Sequence, residues 1–286
     1  MLYNVKGGSY TVAKVNEDAY GWAKDCAWVL DGSTGLNGKR LVAGENGSDA
    51  QWYSHAFSGF LKDSLPGSTQ PLTEIFSRGV KTVWAEFCRL AGGKVAREDV
   101  PCTVGCAVRV RDGYLEYITV GDCCLLVRDQ DGTVREFLDD TLCALDNNTL
   151  RLGVEKAKKE GIPLSQCRQK LLPELRRVRM TMNTPKGYIS LADDHKSVLN
   201  AKCGKIPLIQ IRDICMISDG FSEFYGMFAL ATLEDFMEMA ATKPPEALFE
   251  ELLAAQKADP EYAQHPRFKL SDDATVLYAL TGETEK

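Results

Sequence analysis

Carboxylates stand at the ends of apolar runs in five short stretches of this 286-residue chain. WVLDGSTG ends a run on Asp31, YITVGD ends one on Asp122, and ICMISDG ends one on Asp219. KLSDDATVLYAL sets Asp272 and Asp273 ahead of the last run, and VNEDAY carries Glu17 and Asp18 behind SYTVAKV. Singly, an Asp-Gly pair is a favoured turn and an acid before a strand is a cap. As a set, they are acids at strand termini with Gly, Ser or another acid beside them rather than Lys or Arg. Carboxylates gathered at one sheet edge repel each other unless cations neutralise them. Oxygen donors without thiols or imidazoles select hard cations, Mg2+ or Mn2+, over zinc.

Other chemistries find less support. The ten cysteines form no CxxC pair, and none is grouped with His55, His195 or His265, so a zinc site of ordinary spacing is not expected. Cys26, Cys106 and Cys215 lie in apolar stretches as small hydrophobes, and all the thiols are expected to be free. A formal net charge of −6 argues against nucleic-acid binding driven by phosphate contacts. No apolar run approaches the roughly 18 residues of a membrane span, and MLYNVKGGSYTVAKVNED holds no apolar signal core. The expectation is a cytoplasmic protein without a membrane or nucleic-acid partner.

The elements that must position the acids follow from periodicity. SYTVAKV and CAWVLDG alternate as short strands. Trp52, Tyr53, Ala56, Phe57, Phe60 and Leu61 recur at helical spacing behind a Ser48-Asp49 cap, and Phe76, Val80, Val83, Trp84 and Phe87 mark a second helix over about 72–90. The block from Cys102 to Phe137 alternates as strands broken by Asp112-Gly113 and Asp131-Gly132, two hairpin signals. Residues 146–183 are basic and helical in pattern, with an interruption expected at Pro173. ISL and DICMISDG read as further strands, 230–241 and 245–258 as helices, and ATVLYAL as the closing strand. With an apolar content of 44% and no repeats or long linkers, the chain reads as one α+β domain over 1–286.

In order, NED, VLDGSTG, VGD, ISDGFSE and DDATV resemble the signature blocks of the metal-dependent protein serine/threonine phosphatases of type 2C. The blocks span residues 16–276, so the resemblance covers nearly the whole chain, as a divergent, bacterial-like member. It implies a four-layer α-β-β-α sandwich, two antiparallel sheets flanked by helices, with a variable flap at about 146–186. It also implies two divalent ions, Mn2+ or Mg2+, about 4 Å apart, that activate a water for attack on phosphoserine or phosphothreonine in proteins. Asp31 would bridge the ions, with the Gly32 carbonyl as a further ligand of one. Asp219 and Asp272 would hold the other, and Asp122 with Asp219 a weaker third. Glu17 and Asp18 would order bound waters from outside the ligand set. Catalysis would rest on Asp31 and Asp219 through that water.

Three departures qualify the resemblance. Ser33 stands where many relatives have a His suited to protonating the leaving group. The phosphate-binding Arg is replaced by Ala13, with Lys14 one place later as a point-charge substitute. Cys123-Cys124 replaces Ser-Arg after Asp122. Arg168–Arg179 falls in the flap, either as a solvated face or as a surface for an acidic or phosphorylated partner. The expected function is a monomeric protein phosphatase. The alternatives are a catalytically silent relative that serves as a binding or regulatory module, and a hydrolase of small phosphoesters.

Overall fold

A computed structural model describes residues 1–282. The chain begins with strands β1 (Leu2–Tyr10), β2 (Ala19–Ala23) and β3 (Cys26–Ser33), followed by helices α1 (Asp49–Ser64) and α2 (Leu72–Leu90). Strands β4 (Cys102–Arg111), β5 (Tyr114–Val120), β6 (Cys124–Asp129) and β7 (Val134–Phe137) precede helices α3 (Thr141–Glu160) and α4 (Arg168–Met180). The remainder is β8 (Lys202–Pro207), β9 (Ile211–Ile217), α5 (Asp219–Gly226), α6 (Leu233–Thr242), α7 (Pro245–Ala258) and β10 (Ala274–Thr281). Two five-stranded antiparallel sheets result, ordered β1-β10-β9-β6-β7 and β2-β3-β4-β5-β8.

Strand alternation builds the layers. In β3, Trp28 and Leu30 pack with Tyr53 and Phe57 of α1 and Phe76 and Val80 of α2, while Ala27 and Val29 point the other way, into the second sheet. There they meet Leu125, Val127, Ile214, Met216 and Leu277, which fill the space between the sheets. The opposite faces of β6, β9 and β10, through Leu126, Ile217 and Val276, pack on Phe221, Phe236 and Leu252 of α5, α6 and α7. The four-layer α-β-β-α sandwich is the fold observed. Helices α3 and α4 pack on each other through Gly153, where a Cβ would crowd Leu171.

Both expected hairpins form. Asp112 and Gly113 take positive φ values of 53° and 78°, the pair that a tight antiparallel turn needs. Strands β6 and β7 pair around Asp131-Gly132. Other expectations fail locally. The first strand lies at Leu2–Tyr10, with residues 11–15 leaving the sheet. ISL forms no strand, although the Leu191 amide donates to the Thr103 carbonyl at 2.7 Å. Helix α4 runs through Pro173, and the break falls at Gly161, whose φ of 65° closes α3 in a left-handed cap.

Two buried ion pairs brace the sheets. Arg109 clasps Glu116 across β4 and β5, and Arg128 holds Asp213 bidentately while Tyr278 donates to the same carboxylate at 2.8 Å. All ten cysteines are free.

Gly220, in the first turn of α5, has no room for a side chain, because a Cβ there would overlap the Asp273 carbonyl. Gly226, at the end of the same helix, has open space around it. In urea unfolding we expect Gly220→Ala to destabilise the protein by about 1–3 kcal/mol through overpacking. Gly226→Ala should be neutral or stabilising by up to about 1 kcal/mol. Equal effects would contradict this account of the β9–α5 junction.

Candidate active site

Alternation along β3 sets Asp31 on the face of Ala27 and Val29, so its carboxylate enters between the sheets where their edges open. Asp31 pairs with Val104 and Gly32 with Thr103, so the Asp-Gly pair lies inside a strand rather than in the expected turn. Gly32 is required by a close approach instead, since a Cβ would overlap the Glu17 carbonyl. The Glu17 carboxylate accepts from the Thr34 amide at 3.0 Å and from the Thr34 hydroxyl. The Glu17 amide donates to Asp273 Oδ2 at 2.7 Å, so Asp273 fastens the start of β10 to the β1–β2 connection.

Asp219 is the first residue of α5 rather than part of a sharp turn, and a helix N-terminus favours an acid. The Ser218 hydroxyl accepts from the Thr275 amide at 2.9 Å, which fixes the end of β9 to β10. Asp31 and Asp219 lie close enough for the Asp219 charge to act on the Asp31 carboxyl. Asp122 follows Gly121, whose φ of 70° lets the chain pass from β5 to β6 and so from one sheet to the other. Glu17, Asp31, Gly32, Asp122, Asp219 and Asp272 line one cavity. Asp18 stands behind it, buried, with Oδ2 accepting from the Thr275 hydroxyl at 2.7 Å. Lys14 is exposed and is not on the cavity wall.

Burial and like charge act together here. Burial raises the Asp31 carboxyl well above the usual carboxylate range, and the neighbouring Asp219 adds to it. Asp122 is raised in the same way, by burial and then by Asp219. Burial, reinforced by Asp272, pushes Asp219 up to about 6. Its Oδ1 is buried without a hydrogen-bond partner. Among the described residues, no three His, Cys, Asp or Glu side chains form a ready-made metal cage. The donor chemistry nevertheless fits hard cations: clustered carboxylates, an orphaned carboxylate oxygen and a nearby backbone carbonyl.

Comparison with known proteins bears on what such a cavity serves. The family model for protein phosphatase 2C matches residues 10–259. The chain belongs to that family. It is a protein serine/threonine phosphatase. The matched range ends ahead of Asp272, and no curated protein matches the sequence. Among solved structures, the phosphatase is similar to the Mycobacterium tuberculosis serine/threonine phosphatase PstP/Ppp at 14% identity, with 99% of this chain and 100% of that chain covered and a TM-score of 0.56. It is similar to Stp1 from Staphylococcus aureus at 12% identity, covering 99% and 96%, with a TM-score of 0.56. A structure of the PstP catalytic domain in complex with 2 manganese ions matches at 15% identity, covering 99% of each chain, with a TM-score of 0.55. Likeness at this level is likeness of fold.

The cavity of the phosphatase also holds residues that sequence reasoning did not place in the site. Asp146 of α3 lines it, with its carboxyl pushed up to about 6 by burial against the opposing charge of Arg179. Arg168 and Arg179 of α4 and Lys269 line it too, and Lys269 pairs with Asp272. The basic composition of 146–183 was visible, but nothing in it marked which cation turns inward. Glu223, the later acid of ISDGFSE, accepts from Gln256 Nε2 at 2.8 Å and ties α5 to α7.

A pH dependence follows. With Asp146 and Asp219 near 6 when folded, against an ordinary value of 3.8, the folded state keeps protons that the unfolded chain releases. Their contribution is therefore most favourable at low pH and is lost as pH rises through about 6. In EDTA, we expect a higher melting temperature at about pH 5 than at about pH 7.5, with Mn2+ narrowing or reversing the gap. A metal-free protein less stable at about pH 5 would contradict the repulsion described here.

Proposed function

We propose that the phosphatase removes phosphate from phosphoserine and phosphothreonine in proteins, with Asp31, Asp219, Asp272 and the Gly32 carbonyl as ligands for two divalent ions, Mn2+ or Mg2+. Asp122 with Asp219 would take a weaker third. The observation that carries the reading is the meeting of Asp31 and Asp219 in one cavity with Asp122 and Asp272, the carboxyls of Asp31, Asp122 and Asp219 being raised by burial and neighbouring charge. The likeness of fold to PstP, solved with 2 manganese ions, supports the choice of metal.

When bound, the ions supply charge neutralisation for phosphoryl oxygens and acidify a water to serve as nucleophile. The chain's own part is positional. Glu17 holds Thr34 and so fixes the exit of β3, while Asp273 holds the Glu17 backbone. Asp18, bonded to Thr275, backs the wall from behind. Lys269 and the Asp273 amide both engage Asp272 Oδ1, which leaves Oδ2 to serve as a ligand. Ser33, in place of the His of many relatives, takes a hydrogen bond from Arg179 and offers no imidazole acid. We read residues 1–286 as one phosphatase domain in which α3 and α4 are the flap beside the mouth.

Turnover of a phosphothreonine peptide and of p-nitrophenyl phosphate should appear with Mn2+ and vanish with EDTA. Asp219→Asn should lower turnover by at least about 100-fold at limiting Mn2+, with partial recovery at high Mn2+. The same change should stabilise the metal-free protein by about 1 kcal/mol or more at neutral pH, since it removes one of the repelling charges. Turnover indifferent to EDTA, or near-normal turnover of Asp219→Asn, would overturn the metal assignment. An intact fold with no turnover on either substrate would favour a silent binding module.

A further inference from the structure

The geometry points to Arg179, carried on the flap helix α4, as the residue that grips the substrate's phosphoryl group in place of an arginine from the N-terminal segment. The inference rests on the phosphatase reading above. That segment offers only Ala13 and the exposed Lys14, neither on the cavity wall. Three cations do line the cavity: Arg168, Arg179 and Lys269. Lys269 is spent on Asp272. Arg168 is exposed, and among the described residues no hydrogen bond or ion pair fixes its side chain.

Arg179 differs from both. Its Nη2 donates to Ser33 Oγ at 2.7 Å and its Nη1 to the Ser33 carbonyl at 3.2 Å, with the Thr34 carbonyl at 3.4 Å. Neutral oxygens therefore hold the guanidinium in place, and among the described residues no carboxylate lies within ion-pair distance of it. Asp146 acts on its charge without forming an ion pair, so donor capacity is left for a ligand, and Nε–H takes no part in these three bonds. Ser33 lies two residues beyond Asp31 on β3, so strand geometry sets their side chains on one face, about 7 Å apart. A phosphoryl group beside Asp31 is within reach of a cation seated on Ser33. Guanidinium suits this task because its planar fork can bind two phosphoryl oxygens at once, and its fixed position lowers the ordering cost of binding.

The substitution of Ser for His at 33 belongs to the same arrangement. A hydroxyl accepts from the guanidinium without adding a second cation, whereas a protonated imidazole would repel it. The flap thereby becomes part of substrate recognition, since α4 must dock for Arg179 to reach Ser33. A second contact, Arg176 Nη2 to the Leu36 carbonyl at 3.0 Å, docks the same helix from outside the cavity.

That second contact supplies the control. Binding of inorganic phosphate by calorimetry, in the presence of Mg2+, and KM and kcat for a phosphothreonine peptide should be compared in wild type, Arg179→Ala, Arg179→Lys and Arg176→Ala. Losing a charged hydrogen-bonding partner should weaken phosphate binding and raise KM at least about tenfold in Arg179→Ala. Arg179→Lys should recover only part of the loss, because the point charge remains without the fork. Arg176→Ala should keep phosphate affinity within about twofold. Unchanged phosphate affinity in Arg179→Ala overturns the inference, as does an equal loss in Arg176→Ala, which would make Arg179 a flap latch only. Should Arg179→Ala fail to fold, Arg179→Lys decides by the same criterion. Phosphate affinity that depends on Arg179 in a protein without turnover would uphold the inference and overturn the catalytic reading. Turnover with phosphate affinity indifferent to Arg179 would do the reverse.

Discussion

Repulsion among buried carboxylates is the constraint on which the rest of this structure turns. Asp31, Asp122, Asp219 and Asp272 come from β3, the β5–β6 crossing, the start of α5 and the approach to β10, and the fold forces them into one cavity. Nothing local gains from this, since the Asp31, Asp122 and Asp219 carboxyls are raised by burial and by neighbouring acids. The cost is borne by the sandwich, whose inter-sheet core and clasped pairs Arg109–Glu116 and Arg128–Asp213 lock the strands that carry the acids. A stable frame holding an unstable cluster is the arrangement expected where a site is organised for charge that arrives from outside.

The cations around the cavity take distinct parts. Lys269, paired with Asp272, partly neutralises the cluster from within the chain. Arg179 forms no ion pair among the described residues; it is seated on Ser33 and Thr34, with Asp146 acting on it only through its charge. An anionic substrate meets a cavity that would repel it if only the acids were present. Under the proposed reading, the split between a cation that neutralises Asp272 and a cation that faces the substrate's charge would give α4 a chemical as well as a steric role.

Much of the frame was legible because it depends on period. Trp28, Leu30, Phe57 and Phe76 declare their strand and helix faces, and the Asp-Gly pairs at 112 and 131 declare hairpins through backbone geometry. The acids were legible as a group because each ends or precedes an apolar run. Their local setting was not. Asp31-Gly32 reads as a turn by composition, yet Gly32 is there so that the Glu17 backbone can approach an unbroken strand. Strand β8, KCGKIP, has two lysines and a glycine in six residues and is a strand only because β5 offers an edge. ISL has strand-forming residues, yet its bond from the Leu191 amide to Thr103 of β4 does not extend into a ladder. Asp146, Arg179 and Lys269 were hidden for a different reason: their direction depends on how α3, α4 and the loop before β10 dock, and no periodicity encodes that.

The central claim is that the carboxylate cavity holds divalent ions. Its most direct test is anomalous diffraction from crystals of the protein grown or soaked with Mn2+. The account predicts two strong manganese peaks in the cavity, beside Asp31, the Gly32 carbonyl, Asp219 and Asp272. Crystals that show no manganese there, or manganese only at carboxylates outside this cavity, would contradict it.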